Sequence, residues 1–387
     1  MEYRLDEVFD LQMGKTPSRN NPEYWGSEDN KWISIADLSK SGKYIAETKE
    51  YLSDKAVNES GISLIPANTV VMSFKLSIGK TAITHEPMYS NEAIMSFRDK
   101  HVVELLPDYV YYMFSGKNWE EGTNKAVMGK TLNKATLSGV KVNIHDITKQ
   151  HEIVEVLDKL SSVIDSRKQE LENLDELIKA RFVELFGDPD TNPVCWPERL
   201  LSEMLEVLGG YAFKSDGFSE VDGIPVLRIG NINAGFFKPV NMVFWEEDEA
   251  LERYAMYPGD LVMSLTGTVG KDDYGNVCIL ENDYSKYYLN QRNAKLELKE
   301  GLDKYYLSQL LRFEKIKKRL TGISRGVRQA NISNRDILGL KVPVPPIELQ
   351  QQFSIFVAQV DKSKDAIQKA LNKSQLLFDS LMQRFFE

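Results

Sequence analysis

The sequence predicts a mixed α/β protein in which two similar globular domains alternate with two long helices. The helices are expected to pair as an antiparallel coiled coil about a pseudo-twofold axis. Three observations predict this: an internal duplication, a heptad-like apolar pattern at the end of each copy, and short β-rich runs between Gly, Asn and Asp turns. The length of 387 residues leaves room for two or three domains, at roughly 100–200 residues each.

The duplication is clearest where residues 131–186 meet residues 331–386 at a constant offset of 200. Only 9 of those 56 positions are identical, so the match rests on the apolar pattern: Leu132, Leu137, Val140 and Ile144 face Ile332, Ile337, Leu340 and Val344. Upstream the offset drifts. LDEVFDLQMG matches LSEMLEVLGG at 196, WISIADL matches VLRIGNI at 194, VMSFKLSIGK matches VMSLTGTVGK at 191, and SNEAIMSF matches LNQRNAKL at 199. Shifting offsets between rigid matches indicate one shared fold with loops of different length. The expected organisation is a domain over 1–146, a helix over 147–186, a linker and second domain over 187–346, and a second helix over 347–387.

Within the first helical stretch Ile153, Leu157, Leu160, Ile164, Leu171 and Ile178 follow alternating steps of four and three, the period of a coiled-coil seam. Phe353, Val357, Val360, Ile367, Leu371 and Phe378 form the second seam. Arg167, Arg181, Lys364 and Ser374 interrupt the pattern and are candidates for setting register. Neither stretch contains Gly or Pro, so each can run unbroken for about 60 Å. Pro345 and Pro346 mark the second start, while Gly187, Pro189 and Pro193 end the first helix.

Composition excludes several classes. Charged residues make up 27% and no apolar run of 18 exists, which argues against a membrane span. The N-terminus lacks the layout of a signal peptide, and Cys195 and Cys278 form no Cys-x-x-Cys, so a reducing cytoplasm is expected. Gly79-Lys80-Thr81 ends like a phosphate-binding loop, but Phe74 stands where its first Gly belongs. Asn21-Pro22-Glu23-Tyr24 lacks the second Pro of an amino-methyltransferase motif, and no Gly-rich cofactor loop follows a strand nearby. Glu297-Leu298-Lys299 lacks the upstream Asp of a nuclease metal site. No catalytic residue and no metal ligand set is identified, and the expectation is a binding protein without a cofactor of its own.

Net charge is −9 and no segment is basic overall, so a nucleic-acid site must be local. The densest basic run is residues 312–328, which ends in SRGVRQANIS with Arg325, Arg328, Gln329 and Asn331. Such side chains suit phosphates and base edges. The first copy matches loosely with Lys125, Lys130 and Lys134. A second candidate is the turn at the shared Gly-Lys: Lys75, Ser77 and Lys80 in one copy, Thr266, Thr268 and Lys271 in the other. A third is Gln291 and Arg292, with Asn91 and Glu92 opposite. The bland alternatives are a solvated helix face, an ordinary hairpin turn, and a coiled-coil scaffold that binds protein without recognising DNA.

Domain, helix, domain and helix, in that order, resemble the specificity subunits of type I restriction-modification systems, over essentially the whole chain. RLDEVFDLQMGKTPS looks like the family's opening of a recognition domain, and YPGDLVMSLTGTVGK, YLNQRNAKL and ILGLKVPVPPIELQQQ look like its recurrent segments. The first copy departs at the helix start, with NIHDITKQ in place of the proline-rich form, and Gln350-Gln351 stands where Glu-Gln is frequent. The resemblance implies a subunit that does no chemistry. Each target recognition domain would read one half of a split double-stranded DNA target, and the helices would set the spacer. They would also dock two adenine methyltransferase subunits, with endonuclease subunits as further possible partners. S-adenosylmethionine, ATP and Mg would reside on those partners.

Overall fold

In the computed structural model, residues 1–75, 77–119, 132–269, 271, 273–322 and 329–386 are described. The chain divides into two compact units, Met1–Lys168 with Lys369–Glu387, and Gln169–Gln368. The division cuts through both long helices. Ile147–Phe186 and Ile347–Phe386 are each helical throughout, and each contributes residues to both units.

The first unit holds a five-stranded sheet in the order Phe9–Met13, Ile94–Asp99, Val70–Ser73, Thr81–Thr84 and Tyr44–Ile45, antiparallel except for its last pair. A three-stranded sheet of Glu50–Leu52, Trp25–Ile33 and Tyr89–Ser90 lies beyond it in the same unit. In the second unit Leu205–Gly209, Asn293–Leu298, Leu261–Ser264 and Val277–Ile279 form the corresponding sheet. A second sheet there joins Phe244–Trp245, Ile224–Leu227, Tyr287–Leu289 and Ala255–Met256. The expected offsets recur as paired elements: Phe9–Met13 answers Leu205–Gly209, and Val70–Ser73 answers Leu261–Ser264.

Each unit is closed by its own ends. Glu2–Arg4 pairs with Lys141–Asn143, and Glu198–Leu200 pairs with Lys341–Pro343. Directly after each ladder comes a buried glutamine that explains one of the few repeat identities. Gln150 accepts from the Leu106 N–H (3.0 Å) and donates to the carbonyls of Glu104 and His145 (2.9 Å each). Gln350 accepts from the Asp303 N–H (2.8 Å) and donates to Gly301 (3.2 Å) and Pro345 (2.7 Å). A fully buried amide with both ends satisfied fixes the first helical turn to the domain beneath it. The two helix starts therefore coincide although one is proline-rich and the other is not; Asp146 caps the first by accepting the Lys149 N–H at 2.9 Å.

The long helices serve as core as much as seam. Ile153 and Leu157 join the first unit's core beside Met382, with Phe378, Leu381 and Phe385 packed at its edge. Ile178, Phe182 and Phe186 join the second unit's core beside Phe353, Val357 and Val360. Within that unit the pairing is antiparallel: Asp175 meets Lys364 (2.6 Å), Arg181 lies over Phe356 (5.8 Å to the ring centre), and Phe182 meets Phe353 (5.5 Å between ring centres). Of the expected seam residues, Ile153, Leu157, Ile164, Ile178, Phe353, Val357 and Val360 are buried. Leu160, Leu171, Ile367, Leu371 and Phe378 are half-buried. Phe182, Phe186 and Met382 are buried outside that pattern. A helix of 3.6 residues per turn drifts away from a strict heptad, and a domain core accepts a wider face than one partner helix. In the first unit the interruption at Arg167 has a direct role: its guanidinium donates to the Ala370 carbonyl at 2.7 Å and to the Ser374 hydroxyl, so two seam defects meet each other.

Candidate nucleic-acid interface

In the second unit the separated candidates come together around Leu265. Thr266–Thr268 pairs antiparallel with Gln329–Asn331, and the Thr266 hydroxyl donates to Asn331 Oδ1 at 2.8 Å. The Leu265 N–H donates to the Arg292 carbonyl, and the Ile332 N–H donates to the Leu265 carbonyl, both at 2.8 Å. Thr266 is buried, so it holds the hairpin to its neighbour strand instead of facing solvent. Thr268 braces the turn: its N–H and hydroxyl both donate to Asp273 at 2.8 Å. Burial would raise the Asp273 carboxyl, but those two bonds outweigh it and hold it below the usual carboxylate range. Lys271, Gln291, Arg292 and Asn331 are exposed. Arg325 and Arg328 lie outside the described residues, as do Lys125 and Lys130 in the first unit.

In the helical part of the basic run Lys317 is buried, while Arg312, Lys315, Lys318 and Arg319 are exposed and each has a partner on the protein. Arg312 donates to the Gly235 carbonyl, and buried Lys317 donates to Asn276 Oδ1 at 2.6 Å. Lys315 faces Asp190 (3.7 Å), Lys318 pairs with Glu314, and Arg319 donates to the Lys341 carbonyl (3.4 Å).

The first unit builds the same neighbourhood. Its turn is tied by the Ser73 hydroxyl, which donates to the Ser77 carbonyl and accepts the Lys80 N–H (3.0 Å). Gly79, at φ +87°, lies under the Trp119 ring, where a Cβ would sit 3.0 Å from that ring. The Phe74 N–H donates to the Ala93 carbonyl (3.0 Å), and the Leu132 N–H donates to the Phe74 carbonyl (3.1 Å). Ser77, Lys80 and Lys134 are exposed, and Lys75 is half-buried with its amine 5.2 Å from the Phe74 ring centre.

Three residues here were not singled out by the sequence reading. Arg19 lies 3.7 Å over the Trp25 ring centre and pairs end-on with Glu50, which raises its pKa. Thr16 donates to Glu92; that bond, helped by nearby Lys75 and Arg19, holds the Glu92 carboxyl below its ordinary range against the opposing effect of burial. Tyr211, in the second unit, is partly exposed and rests on Phe213 and Tyr254 (5.0 and 5.4 Å between ring centres). Arg19 reaches Trp25 across a turn and the short helix Pro22–Tyr24, so no fixed spacing announces the pair. Tyr211 carried a signal, an aromatic directly after Gly209-Gly210.

Among the described residues there is no cluster of His, Cys, Asp and Glu fit to hold a metal ion, and no helix long and apolar enough to cross a membrane. The family model described as the type I restriction modification DNA specificity domain matches twice, over residues 1–176 and 193–375. The chain belongs to this family. Its two matches fall on the two copies of the repeat, and DNA target recognition is the family's function. The MjaIX specificity subunit of Methanocaldococcus jannaschii is 23% identical over 98% of this chain and 91% of its own length. The EcoKI specificity subunit of Escherichia coli K12 is 21% identical over 98% of this chain and 86% of its own. The crystal structure of an S subunit from M. genitalium has the same fold, with a TM-score of 0.58 at 15% identity over 100% of this chain and 96% of that one. In each unit the hairpin, the segment at Ala93 or Arg292 and the segment at Leu132 or Asn331 lie side by side.

Proposed function

We propose that each unit presents this hairpin-and-turn face to the major groove of one half of a split DNA target, and that the chain acts by recognition alone. The observation that carries the reading is convergence: in both units, candidates separated by up to some 60 residues are tied into one patch by backbone hydrogen bonds around Phe74 or Leu265. Lysine, arginine, glutamine and asparagine in such a patch supply the phosphate contacts and base-edge donors that double-stranded DNA requires. Adenine methyltransferase subunits, two in number, would dock on the long helices, where Val156, Leu177, Ile355, Leu376 and Leu377 are exposed apolar residues. Those partners would bring S-adenosylmethionine, and an endonuclease subunit would bring ATP and Mg.

The test is binding of the full chain to a duplex recovered from a randomised library, measured at rising salt. A single recovered split sequence, with affinity that falls linearly against the logarithm of salt, is expected. Binding without sequence preference would overturn the reading.

A further inference from the structure

The turn before an inner strand of each main sheet, Ile94–Asp99 or Asn293–Leu298, is built twice from the same bonds. The carbonyls of Ser90 and Leu289 accept the N–H groups of Lys15 and Tyr211, at 2.8 Å in both units. The side chains of Asn91 and Asn290 accept the N–H groups of Ala93 (3.0 Å) and Arg292 (3.2 Å). Their own carbonyls accept the N–H groups of Ile94 (3.2 Å) and Asn293 (2.9 Å). A glycine closes each turn from outside: a Cβ on Gly14 would come within 2.3 Å of the Asn91 carbonyl oxygen, and one on Gly210 within 2.2 Å of that of Asn290. With these bonds shared, what differs is the two side chains that follow the Asn. They are Glu92 and buried Ala93 in one unit, exposed Gln291 and Arg292 in the other.

One backbone frame thus carries Glu92 where the second unit has Gln291, and Arg292 where the first has buried Ala93, which is how two readers of common origin would come to read different bases. A carboxylate has acceptors only, so it suits an exocyclic amine and rejects the acceptor edge of guanine. A guanidinium has donors only, and its fork matches guanine O6 and N7. We propose that this turn sets the difference between the two half-sites: Glu92 accepts from a cytosine amine in the half read by the first unit, and Arg292 donates to a guanine in the half read by the second. Lys75 and Arg19 beside Glu92 offset the repulsion between its charge and the phosphates. The inference rests on the reading that this face meets DNA.

Selection of bound duplexes from a randomised library by the full chain, at about 50 mM salt to favour binding, tests it with two variants. Glu92→Gln keeps an acceptor for Thr16 but adds a donor, and is expected to move one position of one half-site from cytosine towards adenine. Arg292→Ala is expected to relax a guanine position in the other half-site, lowering discrimination there by about five- to a hundredfold. Melting curves matching the parent chain would show that both variants fold. Unchanged selected sequences, changes confined to the same half-site, or uniform weakening without altered preference would each overturn the inference and leave the reading intact. Failure of the parent chain to select any sequence would overturn both.

Discussion

Both units bury apolar helix residues, but the first adds an ionic junction where the second adds aromatic stacking. In the first, Lys43 pairs with Asp108 and with Asp158 of the helix (2.6 Å to the latter), and the Tyr112 hydroxyl donates to Asp158 at 2.5 Å. In the second, Phe182 of the helix stacks on Tyr306 (5.3 Å between ring centres, 17° between planes) and meets Phe353 edge-on, while Phe186 lies against both. An aromatic junction draws on burial and packing, which salt does not screen. An ionic junction at a partly exposed site draws on charge, which salt and acid weaken. At the offset of 200 Phe182 answers Met382 and Phe186 answers Phe386, which lies 5.4 Å from the Tyr109 ring, so the first unit keeps a smaller aromatic contact and adds the ionic one at Asp158.

The largest test of that contrast is Phe182→Ala, expected to destabilise the second unit by about 3–5 kcal/mol, since it empties a fully buried aromatic site. Hydrogen exchange resolved by segment should show the loss over 169–368; an equal loss in the first unit would mean that the units do not respond separately. Gly210→Ala and Gly14→Ala come next, at about 1–3 kcal/mol each, because each Cβ meets a backbone carbonyl that cannot move without breaking the Asn-led turn. Equal costs by denaturant titration would sharpen the claim of one shared frame, and a neutral Gly210→Ala would break it. Arg167→Ala should cost about 1–2 kcal/mol, for the lost bonds to Ala370 and Ser374. Adding Ser374→Ala should then cost little more, and strictly additive losses would deny that the pair acts together.

The smallest effect is the response to acid, where the units should differ in sign. Asp108 is held below the ordinary carboxylate range, burial being outweighed by Lys43 and Tyr44. Its contribution is present above about pH 4 and is lost as pH falls through the lower folded value. Asp361 and Glu281 in the second unit are pushed up, chiefly by burial and then by neighbouring carboxylates, against the pull of Lys364. They oppose folding at neutral pH, and that opposition is relieved as pH falls through their raised values towards about 4. Segment-resolved exchange between pH 7 and pH 4 should therefore show the second unit gaining relative to the first. A parallel loss in both would sink the contrast.

Much of this was legible along the chain. Gln150 and Gln350 stood out as identities at the helix starts, and the drifting offsets located the strands of both units before any pairing was known. Arg167 and Ser374 were visible as interruptions, but not as partners, because periodicity locates a defect on one helix and says nothing of what crosses from the other. Within the basic run at 312–319 burial was equally hidden: Lys317 counts as charge in a sequence like its exposed neighbours, whereas in the fold it is a buried donor to Asn276. Arg19 was invisible because its significance lies in Trp25 and Glu50, which the short helix Pro22–Tyr24 and the pairing of Trp25–Ile33 with Glu50–Leu52 bring to it.

By itself the sequence determined the duplication, the helix lengths and the family, because these are properties of local pattern: apolar period, absence of Gly and Pro, and order of segments. Tertiary structure alone decided that each core is completed by parts of both helices, and that hairpin, turn and distant strand form one patch. Those outcomes depend on which residues far apart in the chain bury surface together and satisfy one another's hydrogen bonds, and no local pattern encodes that choice.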